Sequence, residues 1–386
     1  MSCRHSSPTP PMDDEDLLQE ILLRLPPKPS SLPRASLVCN RWRSILSDPR
    51  FLSRFRKHHR TPPLLGFFAG RVHSTPVFTP ILDSPDRIPA ARFAMPQGHS
   101  HEHWRFMGCR HGLAVLLEES LGKTVVWDPL TGRQHHVDFP PGADEWNSCR
   151  HATVLCADTT DGHVHGDCFS SPFKLVLIWV VGYVRAFACV YESASGVWGG
   201  IVSAASTNTI SHTRPSVLVG NVLFWLLHGG EILAFDLGRQ ILGMIEKPAE
   251  AHIIDYYGSI RLFRTEDSGL GLAISSEQLT IQLWERKLNR DGVVGWVLLQ
   301  KITPLESLFP RRMPSDDMQV LLVGYDEDTN VIVLSARIAK FILQLESMQI
   351  TKISEINGSF YMAFYPYTNF YTAGRGVGRE LLDLAL

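Results

Sequence analysis

The sequence has no long apolar run. Its longest uninterrupted one, LVLIWVV from Leu175 to Val181, falls far short of the roughly 20 residues a helix needs to cross a bilayer, so no membrane span is expected. The first residues, MSCRHSSPTPPMDDED, are polar and Pro-rich with no apolar segment behind a basic one, and no secretory signal is expected. No sign of charge dominates: 37 Lys+Arg stand against 39 Asp+Glu, a net charge of −2, which excludes a surface built throughout for nucleic acid. The seven cysteines (3, 39, 109, 149, 156, 168 and 189) are odd in number and include no Cys-x-x-Cys pair. That pattern argues for reduced thiols in a cytoplasmic and/or nuclear protein rather than a disulfide framework. Signatures of catalysis are missing as well. There is no GxSxG, HExxH or kinase set, and the Gly-rich stretches GLGLA (269–273) and GVGRE lack a strand–GxGxxG–helix setting. A catalytic centre and a cofactor are therefore not expected.

What is present divides near residue 60. With 386 residues, 44% of them apolar and 20% charged, the chain can bury a sizeable core, as two or three domains or as one small module joined to a large repeat unit. Residues 1–12 read as a disordered tail, 13–60 as a helical domain and 61–386 as a β domain. The acidic run at 13–16 suits a helix start. Leu17, Leu18, Ile21, Leu22 and Leu25 then give one wide apolar face, and Pro26-Pro27 ends the helix. A second helix is expected to begin at Pro33 and to carry Leu37, Val38, Trp42, Ile45 and Leu46 up to Asp48-Pro49, with Phe51, Leu52 and Phe55 in a third. Three helices in under 50 residues cannot hide all these side chains among themselves, and uncovered apolar surface on so small a module marks a partner site. Residues 1–60 carry 11 basic and 6 acidic side chains. Because Trp42 and Ile45 share a stripe with Leu37, Val38 and Leu46, these cations read as solvated flanks of an apolar seam, not as a nucleic-acid-reading helix.

DDEDLLQEILLRLPPKPSSLPRASLVCNRWRSILSDPRF resembles an F-box: a Leu-rich helix closed by Leu-Pro-Pro, then Leu-Val-Cys-x-x-Trp, then Asp-Pro-x-Phe. Two departures lie at its edge. Pro11-Met12 stands where many members have Leu-Pro, and the linker PKPSS lacks the usual polar residue followed by Leu. The resemblance implies a small helical bundle that docks on the Skp-type adaptor of a cullin–RING ubiquitin ligase. Leu17, Leu18, Ile21, Leu22, Leu25 and Pro26 would form the first adaptor-facing element, and Leu37, Val38, Cys39 and Trp42 the second. Cys39 is then a small apolar residue of the seam rather than a nucleophile.

Beyond residue 63 short apolar strands recur on one plan: strand, aromatic, acid, small polar turn, strand. Trp127, Tyr191, Phe235 and Trp284 anchor successive copies and lie 64, 44 and 49 residues apart, close to the ~40–50-residue period of blade-type β repeats. In the turn that follows each aromatic, the acid can accept bonds from the turn's own backbone and a Gly can supply a positive φ. This region, with HHRTPPLLGFF at 58–68, resembles the kelch-like F-box-associated β-propellers of plant proteins, especially a large grass family. Residues 64–386 suffice for six or seven blades at ~45 residues each, and a pair of β-sandwiches is the other architecture open. The expected fold class is α+β multidomain: a small three-helix F-box followed by a large all-β, propeller domain. The implied function is the substrate-recognition subunit of an SCF-type E3 ubiquitin ligase, non-catalytic, holding an unidentified protein target. The alternatives are an adaptor-binding protein with no degradative role and a small-molecule or glycan sensor.

Three clusters of polar residues could carry chemistry. His99, His101 and His103 alternate, and His163, His165 and Cys168 could contribute to a soft metal site. No spacing with paired thiolates is visible and Gly and Ser flank both runs, so exposed loop histidines without a metal are expected. Asp326–Glu327–Asp328 reads as a solvated hairpin tip. Asp138 to Ser171, polar and loop-rich, is the first place to seek a target-binding surface.

Overall fold

The computed structural model describes residues 14–372 other than 71–75, 94, 96–103, 119–120, 144–147, 161–162, 212, 249–257, 277–278, 289–291, 303–304, 306–318, 338 and 355–362. The expected tail at 1–12 and the histidines 99, 101 and 103 lie outside the described residues.

Among the described residues four helices precede the first strand, not three: α1 (Glu15–Leu23), α2 (Ser31–Ser36), α3 (Asn40–Ser47) and α4 (Pro49–His59). Asp14 caps α1 by accepting from the Asp16 and Leu17 N–H groups, at 3.0 and 3.3 Å, an N-cap on a helix whose first turn is acidic. The extra break falls at Cys39. Its backbone is extended (φ −162°, ψ 168°) and its Sγ accepts from the Trp42 N–H at 3.5 Å. The expected second helix is therefore split into α2 and α3, with Leu37 and Val38 in the bend. Asp48 caps α4 at 2.8 Å to the Arg50 N–H, with Pro49 in the first turn, where a missing N–H costs nothing.

The rest of the described chain is a six-bladed β-propeller of antiparallel sheets. Blade two holds Arg105–Arg110, Leu113–Glu118, Lys123–Trp127 and Gln134–Asp138. Blade three holds Ser148–Cys156, Phe173–Val181 and Arg185–Glu192, with Val197–Trp198 and Val202–Ala205 both pairing the last of these. Blade four runs Val217–Val219, Val222–Leu226, Ile232–Asp236 and Ile241–Ile245; blade five, Ile260–Arg264, Leu270–Ser276, Thr280–Leu288 and Val294–Ile302; blade six, Val320–Asp326, Val331–Ala336, Lys340–Gln344 and Ile350–Ser354. Blade one closes the ring, because Leu64–Gly70 pairs both Val77–Pro80 and the late strand Ala363–Thr368, with Phe68 opposite Tyr365. The four aromatic anchors all lie on third strands. The turn after Trp127 works as expected, and the turn after Phe235 does so for its acid, although its positive φ falls at Gln240 (φ 55°) rather than at a Gly. Asp128 accepts from the Leu130 N–H at 3.0 Å and the Thr131 hydroxyl at 2.6 Å ahead of Gly132 at φ +74°. Asp236 accepts from the Gly238 and Arg239 N–H groups, both at 2.9 Å.

Apolar clusters fill every blade-to-blade seam: blades one and two around Phe68 and Trp127, two and three around Trp179, three and four around Trp225, four to six around Leu272 and Leu334, and six and one around Phe67 and Phe364. Near the axis the inner strands are joined by polar contacts. The Arg110 guanidinium grips Glu327 through two nitrogens, at 2.6 and 3.0 Å, and donates to Thr153 Oγ1 at 2.6 Å and the Ser216 carbonyl at 2.7 Å. Glu327 also accepts from the Leu218 N–H at 2.8 Å, and its carbonyl accepts from Arg264 at 2.9 Å. Blades two to six thus meet at one ion pair. The expected solvated tip at Asp326–Asp328 is corrected by this packing: Asp326 is buried, and burial beside Asp328 pushes its carboxyl up to about 7. No described helix is long and apolar enough to cross a membrane.

Candidate functional site

The helical module has two faces. Leu18, Leu22, Leu23, Leu32, Ile45, Leu46, Phe51 and Phe55 close a small core. That core is completed from the propeller by Phe370, 2% exposed with its ring 6.2 Å from Phe55 and edge-on, and by Val164 at its margin. A polar contact ties the linker before α2 to blade one: Asp86 accepts from the Ser30 N–H at 3.1 Å and its hydroxyl at 2.6 Å.

The other face is open. Leu17 is 43% exposed, Ile21 38%, Leu37 50% and Val38 62%. Pro26 and Cys39 are exposed as well, while Leu25 and Trp42 are half-buried. Leu18 and Leu22, read from sequence as part of the same face, are instead fully enclosed. The physical reason is the helical period: α1 carries Leu or Ile on more than one side, and the side turned inward, with Leu18 and Leu22 four residues apart, is the one that packs with Phe51, Phe55 and the distant Phe370. The cations sit where a seam's flanks should be. Arg54 of α4 spans to Gln19 Oε1 and Glu20 Oε1, both at 2.7 Å, and the His59 ring meets the Leu23 carbonyl at 3.1 Å. Burial, with His58 adjacent, holds the His59 imidazole below its usual range. An apolar patch of this kind, with no chemistry of its own, can bind the complementary apolar surface of another chain.

Asp138 to Ser171 is not loop throughout. Ser148–Cys156 within it is a nine-residue strand. Nor are His163 and His165 exposed: both are half-buried, and they meet Cys168 and a fourth residue, Cys156, which sequence reasoning had not joined to them. Phe370 was also missed, since nothing near it in sequence marks it as part of a helical core.

Comparison with known proteins agrees with both halves. Residues 14–54 match the family described as F-box domain, and residues 105–372 match the family described as F-box protein AT5G49610-like, beta-propeller. A curated relative, the F-box/LRR-repeat/kelch-repeat protein At2g27520 of Arabidopsis thaliana, is 24% identical over 337 residues, 83% of either chain. Among solved structures, the β-propeller domain of Myceliophteria thermophila Cps50 (Swd1) is 12% identical, with a TM-score of 0.41 over 78% of this chain and 86% of that one. The BT4673 extracellular domain from B. thetaiotaomicron is 13% identical, with a TM-score of 0.37 over 68% of this chain and 29% of that one.

Proposed function

Since the chain belongs to the F-box proteins with an AT5G49610-like β-propeller, we propose that it is the substrate-receiving subunit of an SCF-type E3 ubiquitin ligase, working in the cytoplasm and/or nucleus. Its helical module docks a Skp-type adaptor, and through it a cullin–RING ligase, while its propeller holds a protein target. The observation that carries the reading is the open patch of Leu17, Ile21, Leu37 and Val38 on helices whose opposite face is already packed. A second subunit seated there removes that surface from water without disturbing the core beneath. The chain need supply no reacting group. Holding a target beside a ubiquitin-charged partner makes their encounter intramolecular, and effective concentration supplies the rate.

The test is co-purification of the full chain with a Skp-type adaptor. Ile21→Asp combined with Val38→Asp places two charges in the patch and is expected to abolish the complex with the fold intact, because both side chains already face water. Undiminished adaptor binding by that variant overturns the docking face. Leu22→Asp is unsuitable, since it buries a charge in the core. Proximity labelling with and without proteasome inhibition then addresses the target. Proteins labelled by both the wild type and the docking variant are the propeller's targets and should accumulate on inhibition, and unchanged abundance would mean adaptor binding without degradation.

A further inference from the structure

Away from the docking face, the described residues bring Cys156, His163, His165 and Cys168 together, with one ligand atom from each lying within 4.8 Å of every other. Cys156 ends the inner strand of blade three, and its N–H donates to His111 Nδ1 at 3.1 Å. His163 and His165 are in the following loop, and Cys168 opens a short 3-10 turn. We propose that these four side chains form a closed tetrahedral zinc site that fastens this loop against the helical module.

Geometry is the first support. A zinc ion with Zn–S near 2.3 Å and Zn–N near 2.0–2.1 Å sets each S···N edge of its tetrahedron at about 3.6 Å. The sulfur–nitrogen separations are 3.3 Å for Cys156 to His163, 3.6 Å for Cys168 to His163 and 3.4 Å for Cys168 to His165. The four soft ligands come from the protein alone and leave no open position, which is the pattern of a structural rather than a catalytic zinc.

The surroundings are the second support. His163 offers Nε2 to the thiols and turns Nδ1 to Asp158 Oδ2 at 3.2 Å. Asp158 is itself held by the Thr160 N–H at 2.9 Å, the Thr160 hydroxyl at 2.5 Å and the Ser171 hydroxyl at 2.8 Å. A carboxylate that fixes the ring and tautomer of a histidine is the usual outer partner of a metal ligand. The His165 ring stacks on His111, with centroids 3.5 Å apart and planes 12° from parallel. Two thiolates balance the ion's charge, so a half-buried site gains no net charge from the ligand set, and loading releases the two thiol protons. A cluster serving packing alone has no use for four such groups aimed at one point, because thiol sulfur is a weak hydrogen-bond partner.

Position gives the site its role. Val164, between the two histidines, packs at the edge of the helical core. At Gly166 (φ +142°) the loop backbone presses so close that a Cβ would come within 2.8 Å of the Phe370 ring and 3.0 Å of the Arg56 side chain of α4. A metal that fixes the residues on both sides of Val164 and Gly166 therefore fixes how the module sits on the propeller, and with it the placement of a held target relative to the ligase.

The test uses the full chain co-expressed with its adaptor in zinc-supplied cells. Elemental analysis should find about one zinc per chain, retained by Cys109→Ser and lost from Cys156→Ser combined with Cys168→Ser; Asp158→Asn should weaken zinc binding about 10–100-fold. Because the double variant can fail to fold, wild-type protein is also stripped with a chelator and titrated with cobalt(II). An intense visible spectrum of tetrahedral cobalt with a near-ultraviolet thiolate band supports the site. A chain purified without zinc that yields no such spectrum overturns it, as does an intact mass two hydrogens lighter, which would reveal a Cys156–Cys168 disulfide. For the fastening role, chelation should speed proteolysis between α4 and the first propeller strand, and zinc should restore protection. Identical cleavage with and without the metal overturns that role.

Discussion

The two parts of this molecule solve the problem of apolar surface in opposite ways. In the propeller each blade is covered on both sides by its neighbours, and the ring is closed by pairing strands from both ends of the domain, Leu64–Gly70 with Ala363–Thr368. No blade could bury its faces alone, but together they leave few unpaired edges. The helical module is too short to close on itself. It completes its core with Phe370 from the propeller and leaves Leu17, Ile21, Leu37 and Val38 in water. Closure leaves the blade faces covered, and incompleteness leaves apolar surface exposed. One side of the module's deficit is met within the chain, while the other is available to a second protein.

The sharpest way to break this comparison is at the propeller axis. Arg110→Ala leaves Glu327, held among blades two to six, as an uncompensated carboxylate. The expected loss is about 3–5 kcal/mol of stability, read as a lower denaturant midpoint for the strand signal. Replacing both partners, Arg110→Met with Glu327→Leu, should recover most of it, because a matched apolar pair carries no desolvation penalty. If Arg110→Ala leaves the midpoint in place, the axis is not what binds the blades.

Next in size is Phe370→Ala. Removing a buried aromatic costs about 3 kcal/mol or slightly more, and here the loss should be local to the helices. Hydrogen exchange is expected to quicken in α1 and α4, while the blade strands keep their protection. Equal loosening of strands and helices would mean that the two parts unfold as one unit.

Much of this division could be read from the residues. Trp127, Tyr191, Phe235 and Trp284 all fall on third strands because an aromatic followed by an acid recurs there in four of the six blades, although in blade five the strand runs on to Leu288 before it turns. The exposure of Leu37 and Val38 was legible in outline, since they lie beside the Cys39 break and face out. What could not be read depends on partners far away in sequence. Leu18 and Leu22 differ from Leu17 and Ile21 only in which side Phe51, Phe55 and Phe370 approach. Glu327 looks like part of an acidic tip until Arg110, 217 residues earlier, is placed against it. Cys156 is an ordinary strand residue by pattern, and its meeting with His163 depends on how the loop after the strand folds back.

The smallest effect distinguishes the two parts by charge. The cations of the helical module are solvated or paired at its surface, whereas Lys340 of blade six is 2% exposed. Its ammonium donates to the Ser335 hydroxyl and lies 5.4 Å from the Phe364 ring, and desolvation pushes its pKa down to about 8. In the unfolded chain the same group titrates near 10.4. Between those values the folded state binds fewer protons than the unfolded one, so native stability rises with pH across the window. Below it the folded chain carries the full penalty of a buried cation. Lys340→Met removes that penalty, so its melting temperature relative to wild type should be highest at pH 7 and should fall, by on the order of 2 °C, by pH ~9.5. The constant cost of leaving Ser335 without this donor cancels when the two pH values are subtracted. A difference that stays flat over this range, or grows with pH, would show that Lys340 titrates like an exposed lysine and that the propeller core carries no buried charge there.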